Sequence, residues 1–385
     1  MKKFAYKSLI AWLLLFVIML VGCEYAAEIA TEPATEPLPT VAATESSIIL
    51  PTEPEETQPP TVPEGSEFQI WFIDVGQADA ALIVCDGKTM LIDGGNSADS
   101  NLMYSFLQNK GLSKLDYVIG THAHEDHIGG LSGALYYAEP ETVYCATTSY
   151  SSNAFQNFAN NVKKYGKSIE IPSVGTQFNL GSAICTVLAV NTTSDLNNSS
   201  IVIRIVYGST SFLFTGDAER EVEDAMMNRG VPLQSTVLKV GHHGSYTSTG
   251  YAFLRNVMPQ YAVISCGKAN DYGHPHEEVL SRLKDAEVQL FRTDLQGTIM
   301  CTSDGETVTF SVSSNENADV FGKADFSAPT EPLFDGYILN TRSMKFHYAD
   351  CRNAAQIGEN NRQEYSGSRE ALIEQGYAPC ANCNP

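Results

Sequence analysis

The chain has 385 residues, of which 43% are apolar, and its formal net charge at pH 7 is −21. A chain of this length and composition can bury the core of one large domain with a smaller unit beside it. The negative charge disfavours a protein that coats nucleic acid through long-range attraction. The acidity is uneven, because the stretch from Glu24 to Glu67 contains ten glutamates and no lysine or arginine.

Residues 1–22 have the pattern of an export signal. A start with three lysines precedes an apolar run from Leu9 to Val21, which is too short for a comfortable membrane span. The run ends in the letters LVGC at Cys23, which resembles a bacterial lipobox. The resemblance implies cleavage before Cys23, a lipid anchor on its sulfur, and a location at the extracellular face of the bacterial cell membrane. An uncleaved signal anchor is the alternative.

Residues 23–67 are rich in threonine, glutamate and proline. Such a segment cannot bury enough apolar surface to fold, and its prolines and like charges keep it extended. We therefore expect a disordered stalk that holds the following domain away from the membrane.

From Phe68 the sequence alternates between strand and helix patterns as far as Val312. We expect strands at 68–75, 81–85, 89–93, 117–119, 142–146, 183–190, 201–207 and 211–214, and helices at 100–110, 131–138, 153–165 and 277–286. Strands in two groups with helices between them predict an α/β fold with two sheets and helices outside. Residues 313–336 are polar and turn-rich and are expected to be a linker.

The stretch THAHEDHIGG at residues 121–130 carries three of the eight histidines within six residues. Imidazole and carboxylate groups bind first-row metals, so His122, His124, Asp126 and His127 are candidate ligands. His-x-His places two imidazoles on one side of an extended backbone, whereas the other two ligands are free to bind a second ion. A solvated polar loop is the alternative, but such a dense cluster rarely arises for packing reasons.

Three later stretches supply further candidates. Asp217 ends the apolar run FLFTGD, where one carboxylate can bridge two ions. His242 and His243 follow another strand, and adjacent residues on a strand face opposite sides. One is expected to bind metal and the other to protonate a leaving oxygen or hold the substrate. The sequence leaves this assignment open; we take His243 as the ligand and His242 as the catalytic group. His274, before a predicted helix, completes the set.

The H-x-H-x-D-H motif resembles the signature of the metallo-β-lactamase-fold hydrolases, which implies a four-layer αββα sandwich and a metal-dependent hydrolase. With the later motifs, DVGQADA at residues 74–80 and RTD at residues 292–294, the chain resembles the metallo-hydrolase domain of ComEC-type DNA-uptake channels. This implies nuclease activity. The channel's many transmembrane helices are lacking, so we expect the domain to stand alone on its lipid anchor.

One departure separates this chain from the β-lactamases and glyoxalase II-type enzymes of that fold. Those enzymes have a histidine ligand between H-x-H-x-D-H and the bridging aspartate, but no histidine lies between His127 and His242 here. The first ion is therefore expected to take its third nitrogen from His242 or His243, as in phosphodiesterases.

These motifs predict a hydrolase with two divalent ions, Zn²⁺ or Mn²⁺, that cleaves phosphodiesters. The resemblance to the ComEC-type domain implies DNA as the leading substrate. Asp126 would bind metal and orient the attacking hydroxide, and His242, His243 or Lys239 would assist the leaving alkoxide. One alternative is a cell-wall phosphodiesterase acting on phosphocholine or teichoic acid. Another is a surface binding protein without catalytic activity.

The last stretch, residues 337–385, contains the pattern H-x₃-C…C-x₂-C formed by His347, Cys351, Cys380 and Cys383. It resembles the zinc-binding domain of the Ada DNA-repair protein, which implies one structural zinc ion. The Ada domain has the pattern C-x₃-C…C-x₂-C, and His347 stands here in place of its first cysteine. This replacement puts methyl-acceptor chemistry in doubt. A disulfide is the alternative in an exported protein, although three cysteines cannot all pair internally.

Overall fold

A computed structural model describes residues 61–322, 337–348, 351–355, 357–366 and 369–380. The predicted signal segment with Cys23, most of the stalk and the later part of the linker lie outside the described residues, as does Cys383. Among the residues described, no helix has the length and apolar character needed to cross a bilayer.

Between residues 61 and 312, the structure has fifteen strands. They are β1 (Phe68–Phe72), β2 (Ala81–Cys85), β3 (Lys88–Ile92), β4 (Lys114–Gly120), β5 (Glu139–Cys145), β6 (Ile169–Glu170), β7 (Gln177–Leu180), β8 (Ala183–Ala189), β9 (Val202–Tyr207), β10 (Thr210–Phe214), β11 (Val237–Lys239), β12 (Tyr261–Ile264), β13 (Gln289–Arg292), β14 (Ile299–Ser303) and β15 (Val308–Val312).

Eight helices lie between these strands in the described part of this region. They are α1 (Ser100–Asn109), α2 (Glu125–Ile128), α3 (Leu131–Tyr137), α4 (Asn153–Lys164), α5 (Arg220–Asn228), α6 (Tyr251–Val257), α7 (Glu277–Asp285) and α8 (Thr293–Gln296). Short 3₁₀ turns occur at Ser97–Asp99, Asn197–Ser199 and Gly241–Gly244.

The strands form two sheets, in the orders β15-β14-β1-β2-β3-β4-β5-β6 and β13-β12-β11-β10-β9-β8-β7. Residues alternate between buried and half-buried along β1, because successive side chains of a strand face opposite sides of the sheet. The buried residues meet the second sheet: Phe68 stacks on Phe212 at 4.7 Å and Phe72 on Phe214 at 5.8 Å between ring centroids. One apolar core therefore lies between the two sheets.

Each sheet also has one apolar cluster between it and the helices that cover it. Helices α1, α3 and α4 cover the first sheet, and α5, α6 and α7 cover the second. The layers are thus helix, sheet, sheet, helix, which confirms the predicted αββα sandwich.

The sandwich extends beyond both ends that the sequence predicted. Val62, expected in the stalk, packs against the core between the sheets. At the other end, Val320 and Phe321, expected in the linker, pack against the helices of the second sheet. The buried Arg292 donates hydrogen bonds to the carbonyl oxygens of Val320 and Gly322 at 3.1 and 3.0 Å. Composition missed these contacts because each rests on one or two apolar residues in a polar segment.

A separate four-stranded sheet lies in the described part of the C-terminal unit, with the order β18-β16-β17-β19. Its strands are β16 (Tyr337–Asn340), β17 (Lys345–Tyr348), β18 (Arg362–Tyr365) and β19 (Ala378–Pro379), with helices α9 (Arg352–Ala355) and α10 (Arg369–Glu374). The apolar clusters here are small, with five and three buried members among the described residues.

Candidate metal centre

The candidate ligands follow the carboxyl ends of three strands. His122 to His127 follow β4, Asp217 follows β10, and His242 and His243 follow β11. Strands β10 and β11 are parallel neighbours, so their carboxyl ends lie side by side. The loops that leave them border one cleft of about 250 Å³, lined by Gln77, His124, Glu125, Asp126, Asn197, Asp217, His242, His243, Tyr272 and His274.

Asp217 lies at the centre of this arrangement and is buried. Its Oδ1 is 3.3 Å from His127 Nε2. Its Oδ2 is 3.6 Å from the Nε2 atoms of both His242 and His243, and 4.0 Å from His122 Nε2. The two carboxylate oxygens thus face different imidazoles, which is the arrangement that a bridging ligand requires.

The turn after β11 brings both paired histidines to the same carboxylate. His242 and His243 have φ angles of 50° and 52°, in the left-handed region that ordinary side chains rarely adopt. The expectation that adjacent residues face opposite sides was wrong, because it assumed an extended backbone. Gly244 also has positive φ, and a side chain there would clash with Pro275. Such strain persists only where the surroundings enforce it, as at functional sites.

Three buried atoms of the candidate ligands have no hydrogen-bond partner among the described residues: His127 Nε2, Asp217 Oδ1 and His243 Nε2. Leaving a buried polar atom unpaired costs roughly 1–3 kcal/mol. With Asp126, these residues form a group whose donor atoms lie within 4.8 Å of one another. The donor set is that of a divalent cation site, and a bound cation would pair all three atoms.

The opposite nitrogen of each buried imidazole is held by the protein. His127 Nδ1 lies 2.9 Å from Asp93 Oδ2, and His243 Nδ1 lies 3.1 Å from the carbonyl oxygen of Ser265. A proton on Nδ1 leaves Nε2 as an electron-pair donor, so these contacts select the tautomer that binds metal.

Asp93 is a functional residue that the sequence analysis missed. It is buried with a φ of 58°, and it accepts hydrogen bonds from Thr121 N and Oγ1, both at 2.8 Å. Gly130 packs so closely on Gly94 that a side chain would overlap the Gly94 carbonyl oxygen. This glycine contact brings Asp93 against His127. The sequence signal for Asp93 was its position before Gly94-Gly95 at the end of β3. The second Gly-Gly pair, Gly129-Gly130, packs against this turn.

Lys239 does not reach the cleft as a proton donor. Only 4% of it is exposed, and its Nζ lies 2.8 Å from Asp79 Oδ2 and 3.0 Å from the Val240 carbonyl oxygen. Burial raises the pKa of Asp79, but the Lys239 ammonium and His243 outweigh it and lower that pKa to about 2. The second oxygen of Asp79 lies 3.2 Å from His243 Nδ1. Lys239 therefore holds the carboxylate beside His243, and the suggestion that it protonates a leaving group was wrong.

The six other predicted ligands lie around Asp217. His243 lies with Asp126 and His127, its Nε2 3.3 Å from Asp126 Oδ2. The sequence predicts that His242 or His243 completes the site of His122 and His124. His122 Nε2 lies 2.9 Å from His124 Nδ1, and His242 Nε2 lies 3.6 Å from Asp217 Oδ2.

His274 lies on the cleft wall. Its ring centroid is 5.7 Å from that of His242, and its Nδ1 is 3.1 Å from Gln77 Nε2. His276 is the N-cap of α7 and is half-buried.

Both central carboxylates favour their ionised form. Burial raises the pKa of Asp217, but His127 and His243 outweigh it and hold that pKa well below its usual range. The same two histidines lower the pKa of Asp126, again against the effect of burial. Ionised carboxylates with buried imidazoles give the cleft the charge and donor atoms to bind divalent cations.

A second group of donors lies in the C-terminal unit. His347, Cys351 and Cys380 are buried, and their donor atoms lie within 4.8 Å of one another. His347 Nδ1 is 3.5 Å from Cys351 Sγ. The fourth predicted ligand, Cys383, lies outside the described residues. The cysteines of the sandwich are buried free thiols: Cys85, Cys145, Cys185, Cys266 and Cys301.

Comparison with known proteins gives one family match. The model of the metallo-beta-lactamase superfamily matches residues 73–268, just over half of the chain. The chain is 32% identical over 267 residues to ComE operon protein 3 of Bacillus subtilis, covering 64% of this chain and 34% of that protein.

Two further relatives match the same part of the chain. Competence protein ComA of Neisseria gonorrhoeae is 31% identical over 256 residues, covering 63% of this chain and 33% of that protein. Recombination protein 2 of Haemophilus influenzae is 33% identical over 239 residues, covering 60% of this chain and 28% of that protein. The chain therefore spans about a third of the length of these relatives.

Proposed function

The chain belongs to the metallo-β-lactamase superfamily of metal-dependent hydrolases, and from this premise we propose that its cleft hydrolyses phosphodiester bonds in DNA. The names of two relatives refer to competence and recombination, processes in which DNA is handled. The nuclease assignment rests on that similarity together with the chemistry of the cleft.

The position of Asp217 is the observation that carries the proposal. Its Oδ1 lies 3.3 Å from His127 Nε2 and its Oδ2 lies 4.0 Å from His122 Nε2, so one carboxylate can serve the ions of both groups. We propose that Asp126, His127 and His243 hold one ion, that His122 and His124 hold the other, and that Asp217 is shared. His274, whose Nδ1 faces Gln77, contributes its Nε2 from the cleft wall. The nitrogen and oxygen donors suit Zn²⁺ or Mn²⁺.

Bound divalent ions supply an activated water and neutralise the charge of a phosphodiester. Asp126 is suited to orient that water, because its side chain is 32% exposed while Oδ2 is fixed 3.3 Å from His243 Nε2. The carboxylate therefore reaches both the buried ligands and the open side of the cleft.

We propose that His242 protonates the leaving alkoxide. Its Nδ1 lies 3.3 Å from Glu219 Oε1 and 3.2 Å from Thr247 Oγ1, which fixes the ring, and 21% of its side chain is exposed. Its Nε2 faces the cleft, 3.6 Å from Asp217 Oδ2. General acid catalysis by such a group contributes roughly 10²–10⁴-fold.

Full-length protein loaded with Mn²⁺ or Zn²⁺ tests the proposal on three substrates: single-stranded and duplex DNA, bis-p-nitrophenyl phosphate, and glycerophosphocholine. We expect cleavage of DNA and of the nitrophenyl diester. If the protein cleaves glycerophosphocholine but not DNA, the cell-wall activity is supported instead. A metal-loaded protein that cleaves none of them would contradict the proposal and favour the non-catalytic alternative.

We also propose that His347, Cys351, Cys380 and Cys383 hold one structural zinc ion. The proximity of the three described donors supports it, because thiolates and imidazole are the usual ligands of structural zinc. Metal analysis before and after a thiol-modifying reagent tests this, since the cleft has no thiolate ligand. A full zinc complement after complete modification of Cys351 and Cys380 would contradict it.

A lipid anchor at Cys23 on the extracellular face of the membrane remains part of the proposal, supported by the pattern of residues 1–23 alone. Metabolic labelling with a fatty acid tests it. Label should enter the wild-type protein and not Cys23→Ala, and equal labelling of both proteins would contradict it.

A further inference from the structure

An exposed aromatic ring borders the cleft. Tyr272 is 68% exposed and lines the cleft beside the proposed ligands. Its ring stacks on His274, with centroids 5.6 Å apart and planes 24° from parallel. A ring that packs one face on a histidine and is mostly exposed presents its other face to whatever enters the cleft.

The side chain of Asn270 holds the loop that carries this ring. Asn270 Oδ1 accepts hydrogen bonds from Tyr272 N at 3.1 Å and from His274 N at 3.0 Å. Its Nδ2 donates to the carbonyl oxygen of Gly267 at 2.9 Å. The Gly267 amide in turn donates to Gln77 Oε1 at 3.0 Å. The backbone at Tyr272 is therefore fixed, and the contact of its ring with His274 places the ring on the cleft wall.

We propose that Tyr272 is a stacking platform for a nucleobase next to the scissile phosphodiester, so that the cleft takes single-stranded DNA in preference to duplex. The inference rests on the proposed function and specifies the substrate of the same site. Stacking on an aromatic side chain is sequence-tolerant because every base has a flat face. In a duplex both faces of each base are covered by neighbouring pairs, so the platform is available only to an unpaired strand.

The shape of the site favours a flat base over the cation of a choline diester. Quaternary ammonium groups are recognised by cages of several aromatic rings. Among the described residues that line the cleft, Tyr272 is the only aromatic apart from the histidines. Its nearly parallel packing on His274 extends one stack, which a flat ligand continues and a tetrahedral cation does not.

Binding of two fluorescent, cleavage-resistant phosphorothioate oligomers to full-length, metal-loaded protein tests the inference. One is oligothymidylate and the other has the same backbone with abasic sugars. Wild type should bind oligothymidylate about 10-fold more tightly, the scale of one stacked base. Tyr272→Ala should bind both oligomers equally, at the wild-type affinity for the abasic one, whereas Tyr272→Phe should keep the preference.

Tyr136→Ala is the matched control, because Tyr136 is also 68% exposed but does not line the cleft. It should bind as wild type does. The inference is overturned if wild type binds both oligomers equally, if Tyr272→Ala keeps the preference, or if that variant weakens both oligomers to the same extent. It is also overturned if glycerophosphocholine displaces bound oligomer from wild type but not from Tyr272→Ala.

A separate cleavage assay distinguishes this inference from the proposed function. Binding that prefers bases through Tyr272, without cleavage of unmodified DNA, would refute the nuclease and leave the platform standing. If wild type cleaves DNA but binds both oligomers equally, the platform is refuted and the nuclease function stands. Equal melting temperature and metal content of all variants exclude a folding defect.

Discussion

The two candidate metal sites differ in what holds their ligands in place. In the cleft, the ligands follow strands of two sheets, and the protein fixes the opposite nitrogen of His127 and of His243. In the C-terminal unit, His347, Cys351 and Cys380 lie in a small sheet with few buried apolar residues. The fold therefore holds the ligands in the cleft, whereas a metal ion would hold the fold in the C-terminal unit.

This difference assigns different chemistry to the two sites. The cleft opens to solvent at Asp126 and His242 and can admit a substrate. The three described donors of the C-terminal cluster are buried, which suits a closed structural ion. Removal of metal should therefore abolish activity at one site and folding at the other.

The largest expected effect is in the C-terminal unit. Cys380→Ser should unfold residues 337–380, because a small zinc unit draws roughly 10–16 kcal/mol from its ion. Hydrogen exchange should show that residues 337–380 lose protection while the sandwich keeps it. Turnover of a small phosphodiester should persist. Cys301→Ser, a buried thiol of the sandwich outside both clusters, should keep the full metal content. A C-terminal unit that stays protected after losing its ion would contradict the comparison.

Asp217→Asn is expected to have the next largest effect. Turnover of every substrate should fall on the order of 10³-fold or more, the scale for losing a principal electrostatic group. Metal analysis should show both hydrolase ions weakened together, because one carboxylate serves both. Asp116→Asn removes an exposed ion pair with Lys88 and should change neither property. An Asp217→Asn protein that still binds both ions tightly would exclude a bridging role.

The two paired histidines should respond differently to replacement by alanine. His243→Ala should lose one ion, because His243 lies among Asp126, His127 and Asp217. His242→Ala should keep both ions but cleave DNA roughly 10²–10⁴-fold more slowly, since the sugar alkoxide needs a proton. On p-nitrophenyl esters, whose phenolate leaves unaided, His242→Ala should be nearly normal. Equal metal content and equal DNA cleavage rates in the two variants would refute these roles.

The smallest of these effects is expected from Asp93→Asn. Asp93 touches His127 and not the expected ion, so its loss should weaken metal affinity about 10–100-fold and leave the fold intact. Metal titration of activity should shift to higher concentration with an unchanged plateau. An affinity equal to that of wild type would show that the orientation of His127 does not depend on Asp93.

The sequence predicted those parts of the molecule that depend on patterns of neighbouring residues. Burial alternates along β1, and the helix α1 was predicted within one residue. The H-x-H-x-D-H motif was recognisable because its ligands lie within six residues of one another. The αββα layers followed from the alternation of strands and helices together with that motif.

What the sequence did not predict depends on contacts between distant segments. Asp93 and His127 are 34 positions apart, and Lys239 and Asp79 are 160 positions apart. The left-handed turn at His242 and His243 is equally invisible, because histidine adopts positive φ in only a small fraction of its occurrences. No local rule connects such positions, so Asp93 was missed and Lys239 was given the wrong role.

The central claim is that the cleft holds two divalent ions that act together, while a third ion belongs to the C-terminal unit. Metal-free Cys380→Ser protein, which lacks the third site, can be titrated with Mn²⁺ or Zn²⁺ while phosphodiesterase activity and bound metal are measured together. Activity should rise to its maximum only when about two ions are bound per chain, as for a two-metal hydrolase. Full activity with a single bound ion, or saturation of the protein at one ion, would contradict the account.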